Sequence, residues 1–168
     1  MDAVDAVDSL ARELGARLHA ARWLLATAES CTGGWVSEAV TAVAGSSAWF
    51  DRGFVTYSND AKQEMLGVPA ATLTTYGAVS EATAAAMADG AIAHSRAQVS
   101  VAITGVAGPG GGTPSKPVGM VCLGWATRRS GGKVTVLTRT HQFAGDRTAI
   151  RRQAVEAALA GLLERIDE

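Results

Sequence analysis

The chain has 168 residues, of which 48% are apolar and 18% charged, and this composition is typical of one globular domain. A net charge of -1 provides no basic field for nucleic acid and no polybasic patch for a membrane surface. No apolar run approaches the roughly 20 residues of a membrane span, and the acidic N-terminus lacks the layout of a signal peptide. Cys31 and Cys122 lack metal-ligand spacing and are predicted to be free thiols. We therefore expect a cytoplasmic protein with neither a nucleic acid nor a membrane as partner.

Apolar periodicity and turn residues divide the chain into helices and strands. The first helix is predicted from Asp2 to Ala20, with Val4 among the apolar residues of its buried face. In chain order, the further predicted elements are a strand at 23–28, a helix from 35 that ends at 44–47, a strand at 49–57, a short helix at 61–66, a helical turn from 69, a long helix at 81–95, strands at 98–103, 118–127 and 133–143, and a helix from 147.

The order of these elements predicts the fold. Helices separate the first three strands, so these strands should be parallel with right-handed crossovers. The connection between the last two strands, 128–132, is too short for a crossover and predicts an antiparallel pair. The expected fold class is α/β, a three-layer α/β/α sandwich with a mixed five-stranded sheet. No internal repeat or linker divides the chain, so we expect a single domain over residues 1–168.

A polar turn, Thr27-Ala28-Glu29-Ser30-Cys31-Thr32-Gly33-Gly34, lies between the first strand and the helix that follows it. A helix N-terminus offers free N–H groups and a positive dipole end, which bind anions and stabilise developing negative charge. The alternative interpretation is an ordinary N-capped helix after a buried strand, because serine and threonine are common caps.

Polar residues also follow the second and third strands, at Tyr57-Ser58 and Thr104-Gly105. The carboxyl ends of parallel strands meet at one edge of the sheet, where α/β proteins bind ligands. These residues and Glu29-Ser30 are therefore predicted to converge on one site.

Lys62 lies in the first turn of the helix that follows Tyr57. A cation there faces the positive end of the helix dipole, which disfavours the charged form and suits a general base. Ser30, Tyr57 and Lys62 would supply a serine nucleophile, a phenol that relays or orients the proton, and a lysine base. The alternative for Lys62 is a solvated lysine on a helix surface.

Other residues suggest weaker hypotheses. Cys31 could act as a nucleophile, but no histidine is placed as its base, and no pair of histidines has zinc spacing. The glycine-rich loop from Thr104 to 112 would let backbone approach a ligand closely. Arg147, at the start of the last helix, could bind a phosphate, or it could be a surface arginine beside the capping residue Asp146.

Seven segments of the chain resemble the CinA C-terminal domain family. They are AESCTGG at 28–34, GSSAWF at 45–50, GFVTYSN at 53–59, GAVS at 77–80, TGVAGPGG at 104–111, KPVG at 116–119 and FAGDR at 143–147. The resemblance extends in order over nearly the whole chain, which is similar to the stand-alone form of the family. The N-terminal domain of longer members is expected to be absent, and its nucleotide pyrophosphatase activity with it.

The resemblance implies hydrolysis of the carboxamide of nicotinamide mononucleotide to nicotinate mononucleotide and ammonia, within pyridine nucleotide salvage. It implies that Ser30 is the nucleophile and that Tyr57 and Lys62 support it. The residues expected to bind substrate are Thr32, Gly33, Gly34, Thr104, Gly105 and Arg147, with helix-start N–H groups holding the oxyanion and Arg147 the 5′-phosphate.

No metal or cofactor is implied, and the expected partner is the small-molecule substrate. Homo-oligomer formation stays open. So do two alternatives, a non-catalytic nucleotide-binding or regulatory domain that uses the same pocket and a cysteine hydrolase that uses Cys31.

Overall fold

The computed structural model describes residues 3–167, which form helices and strands in nearly strict alternation. The start predicted at Asp2 lies outside the described residues, as does the side chain of Val4. The elements are α1 Ala3–Ala21, β1 Leu25–Glu29, α2 Trp35–Thr41, β2 Phe50–Val55, α3 Asn59–Leu66, α4 Ala70–Tyr76, α5 Glu81–Ala93, β3 Val99–Gly105, β4 Met120–Arg128, β5 Val134–Gln142 and α6 Arg147–Ile166.

The strands form one mixed sheet in the order β2-β1-β3-β4-β5. Strand β1 is parallel to both of its neighbours, β2 and β3, whereas β4 is antiparallel to both β3 and β5. The predicted parallel arrangement of the first three strands and the antiparallel final pair are confirmed. The parallel strands bring the residues after β1, β2 and β3 to one edge of the sheet.

Helices cover both faces of the sheet, which confirms the three-layer sandwich. One face carries large apolar side chains that pack under α1, α2 and α6, with Leu25, Ile103 and Trp125 among them. The other face carries small residues such as Ala28, Ala102 and Gly124 beneath α5. A Cβ on Gly124 would lie 2.7 Å from the Ala84 carbonyl oxygen, so the small side chains let α5 approach the sheet closely.

The predicted caps are present at three helices. The side chains of Ser58, Ser80 and Asp146 each accept a hydrogen bond from a backbone N–H in the first turn of α3, α5 and α6, respectively. Some boundaries differ from prediction. Helix α2 ends at Thr41, and a short 3₁₀ turn, Ser46–Ala48, follows it. Strand β2 ends at Val55, because the chain then turns to the cap of α3 at Ser58.

The loop 106–119 connects β3 to β4 at the carboxyl edge of the parallel strands. The Val106 N–H donates to the Met120 carbonyl at 2.9 Å, and the Gly119 N–H donates to the Val106 carbonyl at 2.8 Å, so the loop closes at its base. Lys116 Nζ donates to the Tyr76 carbonyl at the end of α4. The loop is thereby tied to the α3–α5 side of the molecule. Of the helices in residues 3–167, none combines the length and apolar character needed to cross a membrane.

Candidate active site

A cleft of about 300 Å³ opens at the carboxyl edge of the parallel strands. Its lining includes Ser30, Tyr57 and Lys62, together with Arg147 and much of the segment 104–111. The convergence predicted from the ends of the first three strands is therefore observed. The volume lies at the low end of the range for small-molecule sites.

Ser30 follows β1 directly and is fixed by its backbone. Its N–H donates to the Ile103 carbonyl at 2.9 Å, and its own carbonyl accepts from the Gly33 N–H at 3.0 Å. Gly33 and Gly34 have φ values of 59° and 107°, which favour glycine. The tight turn leaves only 8% of Ser30 exposed, on the cleft wall.

Lys62 is almost completely buried, with 1% of its surface exposed. Its Nζ lies 3.0 Å from Ser30 Oγ and 3.0 Å from the Thr56 carbonyl oxygen, and the Tyr57 carbonyl oxygen lies at 3.3 Å. No ion pair joins it to a carboxylate in the described part of the chain. Burial lowers the pKa of Lys62 below its ordinary value. The alternative of a solvated helix lysine is therefore wrong.

The three contacts of Lys62 suit a base. A neutral amine has two N–H bonds and one lone pair. The carbonyls of Thr56 and Tyr57 can each take one N–H, which leaves the lone pair facing Ser30 Oγ. After proton transfer the third N–H of the ammonium donates to the same oxygen. The site therefore accommodates both protonation states without rearrangement.

Tyr57 contributes to this pair through its backbone. Its carbonyl oxygen accepts from Lys62 Nζ and lies 3.5 Å from Ser30 Oγ. The side chain is 64% exposed, and its hydroxyl contacts Arg147 Nη2 at 3.4 Å. The structure thus brings the predicted three residues together, but the phenol does not lie between the serine and the lysine.

Arg147 is the first residue of α6 and faces the cleft. Its Nη1 donates to the Gly108 carbonyl at 2.7 Å, and its Nη2 contacts the Tyr57 hydroxyl. The carboxylate of Asp146 accepts from the Ala149 N–H instead of pairing with Arg147. The guanidinium therefore connects the glycine-rich loop to Tyr57, and it forms no ion pair with an acidic side chain in the described part of the chain.

The remaining predicted binding residues divide into two groups. Thr104 and Gly105 line the cleft, and the Thr104 hydroxyl donates to the Ala78 carbonyl at 2.8 Å. Thr32, Gly33 and Gly34 are not among the residues that line it. Thr32 is fully buried and its Oγ1 donates to Glu29 at 2.7 Å, so direct substrate contact by its side chain is not supported.

Glu29 was predicted at the edge of the sheet beside Ser30, but its role was not predicted. Its fully buried carboxylate accepts from the Val36 N–H at 2.8 Å and from both the N–H and the hydroxyl of Ser37, at 3.0 and 2.8 Å. The N-terminus of α2 therefore already has an anion, and the N–H groups of Val36 and Ser37 are not free to bind the oxyanion. An acidic residue shortly before a helix start was the available signal.

The role of Arg151, which lies one turn after Arg147 on α6, was also not predicted. Its Nε donates to the Cys31 carbonyl and its Nη2 to the Thr32 carbonyl, both at 3.1 Å. The guanidinium carbon lies 5.4 Å from the centre of the Trp35 ring. The i, i+4 spacing from Arg147 was the only sequence signal, and it did not indicate which backbone groups Arg151 would reach.

Cys31 and Cys122 are both buried free thiols. Cys31 lines the cleft, but burial raises the pKa of its thiol to about 11. The thiolate is the nucleophilic form, and it is scarce at neutral pH in such a site. No histidine lines the cleft either, so the geometry does not support a Cys–His pair. Over residues 3–167, no group of three or more His, Cys, Asp or Glu side chains could hold a metal ion.

A serine hydroxyl hydrogen-bonded to a buried lysine, at the carboxyl edge of a three-layer α/β/α sheet, defines the class of site present here. The chain belongs to the CinA C-terminal domain family, whose sequence model matches residues 7–166.

Relatives of known name support this membership over nearly the full chain. The chain is 52% identical over 153 residues to the nicotinamide-nucleotide amidohydrolase PncC of Escherichia coli (strain K12), covering 91% of this chain and 90% of that protein. It is 50% identical over 161 residues to the PncC of Pseudomonas putida, covering 96% and 98% of the two chains. The crystal structure of the competence/damage inducible protein CihA from Agrobacterium tumefaciens matches with a TM-score of 0.89 and 47% identity, covering 97% of this chain and 96% of that one.

Proposed function

We propose that residues 1–168 form a single amidohydrolase domain that converts nicotinamide mononucleotide to nicotinate mononucleotide and ammonia, a step of pyridine nucleotide salvage. The similarity to proteins named nicotinamide-nucleotide amidohydrolase supports the substrate. The observation that carries the proposal is the 3.0 Å contact between Ser30 Oγ and Lys62 Nζ, since this lysine is buried and forms no ion pair with a carboxylate of residues 3–167. A domain that only binds a nucleotide has no evident need for a costly buried amine beside a serine.

The first half of the reaction transfers the acyl group to the enzyme. Ser30 Oγ attacks the carboxamide carbon while Lys62 Nζ accepts the hydroxyl proton. The carbon–nitrogen bond of the tetrahedral intermediate then breaks. The lysine ammonium returns its proton to the departing nitrogen, which leaves as ammonia. Proton transfer is direct, because the Tyr57 phenol lies away from both atoms.

The second half of the reaction releases the acid. A water molecule attacks the acyl-serine ester, and Lys62 accepts one of its protons. Collapse of the second intermediate breaks the ester bond, and the lysine returns the proton to Ser30 Oγ. The product leaves as the acid, which loses its proton to solvent to give the carboxylate, and the enzyme regains its starting protonation state. No step consumes a cofactor.

The exposed end of the cleft is the part that would recognise the nucleotide. Arg147 presents a guanidinium to the cleft, and a guanidinium can bind two phosphate oxygens at once. The contacts of Arg147 with the Gly108 carbonyl and the Tyr57 hydroxyl are to neutral groups, so a phosphate dianion would compete with them successfully. We assign the 5′-phosphate to this residue.

Turnover with nicotinamide mononucleotide tests the proposal. Ammonia release and nicotinate mononucleotide formation should appear in equal amounts and should be lost in Ser30→Ala. Binding of the mononucleotide by the wild-type protein with no ammonia release would instead favour the non-catalytic alternative.

A further inference from the structure

A second cavity lies at the opposite edge of the sheet from the cleft, where β1 and β3 begin and the β4–β5 connection turns. Three arginines line it, namely Arg22, which follows α1, and Arg128 and Arg129, at the end of β4. The ring of Trp23, two residues before β1, also lines it. We call this cavity the arginine pocket. Its volume of about 390 Å³ is within the range for small-molecule sites.

The positive charge of the arginine pocket is not neutralised by the protein. No aspartate or glutamate of residues 3–167 lines the pocket, and none of its three arginines forms an ion pair with a described carboxylate. Ion pairs with carboxylates are formed instead by four other exposed arginines, Arg12, Arg17, Arg52 and Arg139. Like charges repel one another, so three guanidinium groups gathered without a counter-charge favour the binding of an anion.

The three guanidinium groups differ in how they are held. That of Arg129 lies 5.1 Å from the centre of the Trp23 ring, and its Nη2 donates to the Arg165 carbonyl at 3.1 Å. The side chains of Arg22 and Arg128 have no hydrogen-bond or ion-pair partner in the part of the chain that the structure describes. Arg129 therefore provides a fixed positive charge, and the other two arginines are available to donate to a ligand.

Arg22 has a backbone conformation that glycine usually adopts. Its φ is 59°, and no other non-glycine residue of 3–167 has a positive φ. The Arg22 N–H donates to the His19 carbonyl and the Trp23 N–H to the Leu18 carbonyl, which is the Schellman arrangement at the end of a helix. Arginine is less stable than glycine at such a position, so the stability of the fold does not explain this side chain. A strained residue beside a charged pocket indicates a role in binding.

We propose that the arginine pocket binds a phosphate dianion, either free or as the phosphate group of a small metabolite. A guanidinium donates two parallel N–H groups to two oxygens of a phosphate, so it suits this anion better than it suits a spherical anion such as chloride. Arg22 and Arg128 supply these donors, and Arg129 supplies further charge. The pocket shares no lining residue with the cleft, so the proposal does not depend on the proposed function.

Two-dimensional ¹H–¹⁵N NMR spectra of the full chain locate the binding site. Inorganic phosphate is titrated into wild type and into Arg147→Ala, in which the arginine of the cleft is removed. Sodium chloride of the same ionic strength is the reference titration. In both proteins the indole N–H signal of Trp23 and the backbone N–H signals of 128–131 should shift and saturate with phosphate. The absence of saturable shifts in this region, or equal shifts with chloride, would overturn the proposal.

Ribose 5-phosphate is the second probe and distinguishes the two sources of phosphate. Tighter binding of ribose 5-phosphate than of inorganic phosphate would identify a metabolite as the ligand. Equal affinities would identify free phosphate, and either result supports the proposed site.

Substitution of single arginines tests which side chains bind the phosphate. Arg22→Gln and Arg128→Gln should each raise the dissociation constant by roughly ten- to a hundredfold, because each removes a charge-assisted contact. Arg12→Gln is the matched control, since it changes the net charge equally but lies on α1 outside the pocket, where Arg12 pairs with Asp8. It should leave the constant within about twofold of wild type. Equal dissociation constants in the pocket variants and the control would contradict the proposal.

Arg22→Gly separates binding from stability. Glycine removes the guanidinium and is favoured at a φ of 59°, so the melting temperature should rise by about 2–4 °C while the affinity for phosphate falls as in Arg22→Gln. A higher melting temperature with unchanged affinity would show that Arg22 has no role in the pocket and would overturn the proposal. Ammonia release from nicotinamide mononucleotide, measured without added phosphate, should be the same in Arg22→Gly and wild type. Saturable binding at the pocket in a protein that releases no ammonia would sink the proposed function and leave this proposal standing.

Discussion

The two ends of the cleft are built in different ways. At one end Ser30 and Lys62 are 8% and 1% exposed, and their contacts are with each other and with backbone carbonyls. At the other end Tyr57 and Arg147 are exposed. Their side chains contact each other, and Arg147 also donates to the Gly108 carbonyl in the glycine-rich loop. Chemistry requires fixed geometry and a dry environment for the amine, whereas binding of a charged substrate requires groups that can exchange neutral partners for an anion. We therefore assign proton transfer to the buried end and phosphate recognition to the exposed end.

Removal of Ser30, the proposed nucleophile, is the most severe way to probe the buried end of the cleft. Ser30→Ala should lower kcat by at least about 10³-fold, as the loss of a nucleophile does in serine hydrolases, while the dissociation constant for substrate stays near the wild-type value. Calorimetry for binding and ammonia release for turnover provide the two measurements. Cys31→Ala is the control, and it should keep most of the activity because burial holds the pKa of this thiol at about 11. The reverse pattern would transfer the nucleophile to Cys31.

Substitution of Lys62, the proposed base, should have the next largest effect. Lys62→Arg and Lys62→Met should both lose about 10²–10⁴ in kcat, because arginine keeps a positive charge but cannot accept the proton. In the wild type, kcat should rise with pH through the lowered pKa of Lys62, since the neutral amine is the active form. An arginine variant that kept half of the wild-type rate would show that the position needs only a charge.

At the exposed end, Arg147→Ala should affect binding instead of chemistry. A charge-assisted contact with a phosphate is worth about 1.5–3 kcal/mol, so KM for the mononucleotide should rise by roughly one to two orders of magnitude with kcat little changed. The riboside, which lacks the phosphate, is the matched substrate and should show almost no difference between variant and wild type. Equal effects on both substrates would leave Arg147 with no role in phosphate binding.

The buried amine should also give the stability of the protein a characteristic pH dependence. The folded-state pKa of Lys62 is lowered, so between that pKa and the unfolded value near 10.5 the unfolded chain binds more protons than the folded one. Stability contributed by this residue therefore increases with pH across that window, by at most about 1.4 kcal/mol per pH unit. Urea unfolding of wild type and Lys62→Met from pH 7 to 10 should show their difference changing in favour of wild type. A difference that does not vary with pH would contradict the lowered pKa.

The sequence predicted the fold and the residues at the buried end of the cleft better than it predicted which atoms of those residues make the contacts. The order of helices and strands was sufficient to place Ser30, Tyr57 and Thr104 at one edge of the sheet. The burial of Lys62 could not be read from a helix as polar as α3, because it results from the turn at Thr56 and Tyr57 wrapping around the amine. A sequence pattern also does not distinguish a backbone carbonyl from a side chain, which is why Tyr57 was assigned through its phenol.

The contacts that Glu29 and Arg151 make with the turn after Ser30 were missed for a related reason. Glu29 precedes Ser30 and was treated only as one of the polar residues at the strand end, although its carboxylate caps α2. Arg151 reaches the turn from a helix 120 residues later in the chain, and no local pattern reports such a contact. Thr32, Gly33 and Gly34 were assigned to the substrate because glycine-rich helix starts commonly bind anions. Here the anion is Glu29, so the family motif has a structural role at these positions.

Tyr57 connects the two ends of the cleft, and its hydroxyl provides the finest test of the comparison. The phenol contacts Arg147 and not the Ser30–Lys62 pair, whereas the carbonyl that does contact the pair is unaffected by side-chain substitution. Tyr57→Phe should therefore keep kcat within about threefold of wild type, because the contact it removes, at 3.4 Å to Arg147 in an exposed position, acts on binding and not on proton transfer. Tyr57→Ala is the companion variant. It removes the ring beside Arg147 and should raise KM more than Tyr57→Phe does.

Steady-state kinetics with nicotinamide mononucleotide provide both constants. A loss of about 10² or more in kcat for Tyr57→Phe, with KM unchanged, would contradict this prediction. It would mean that the hydroxyl moves to Ser30 when substrate binds and relays the proton. The cleft would then not be divided into a chemical end and a binding end.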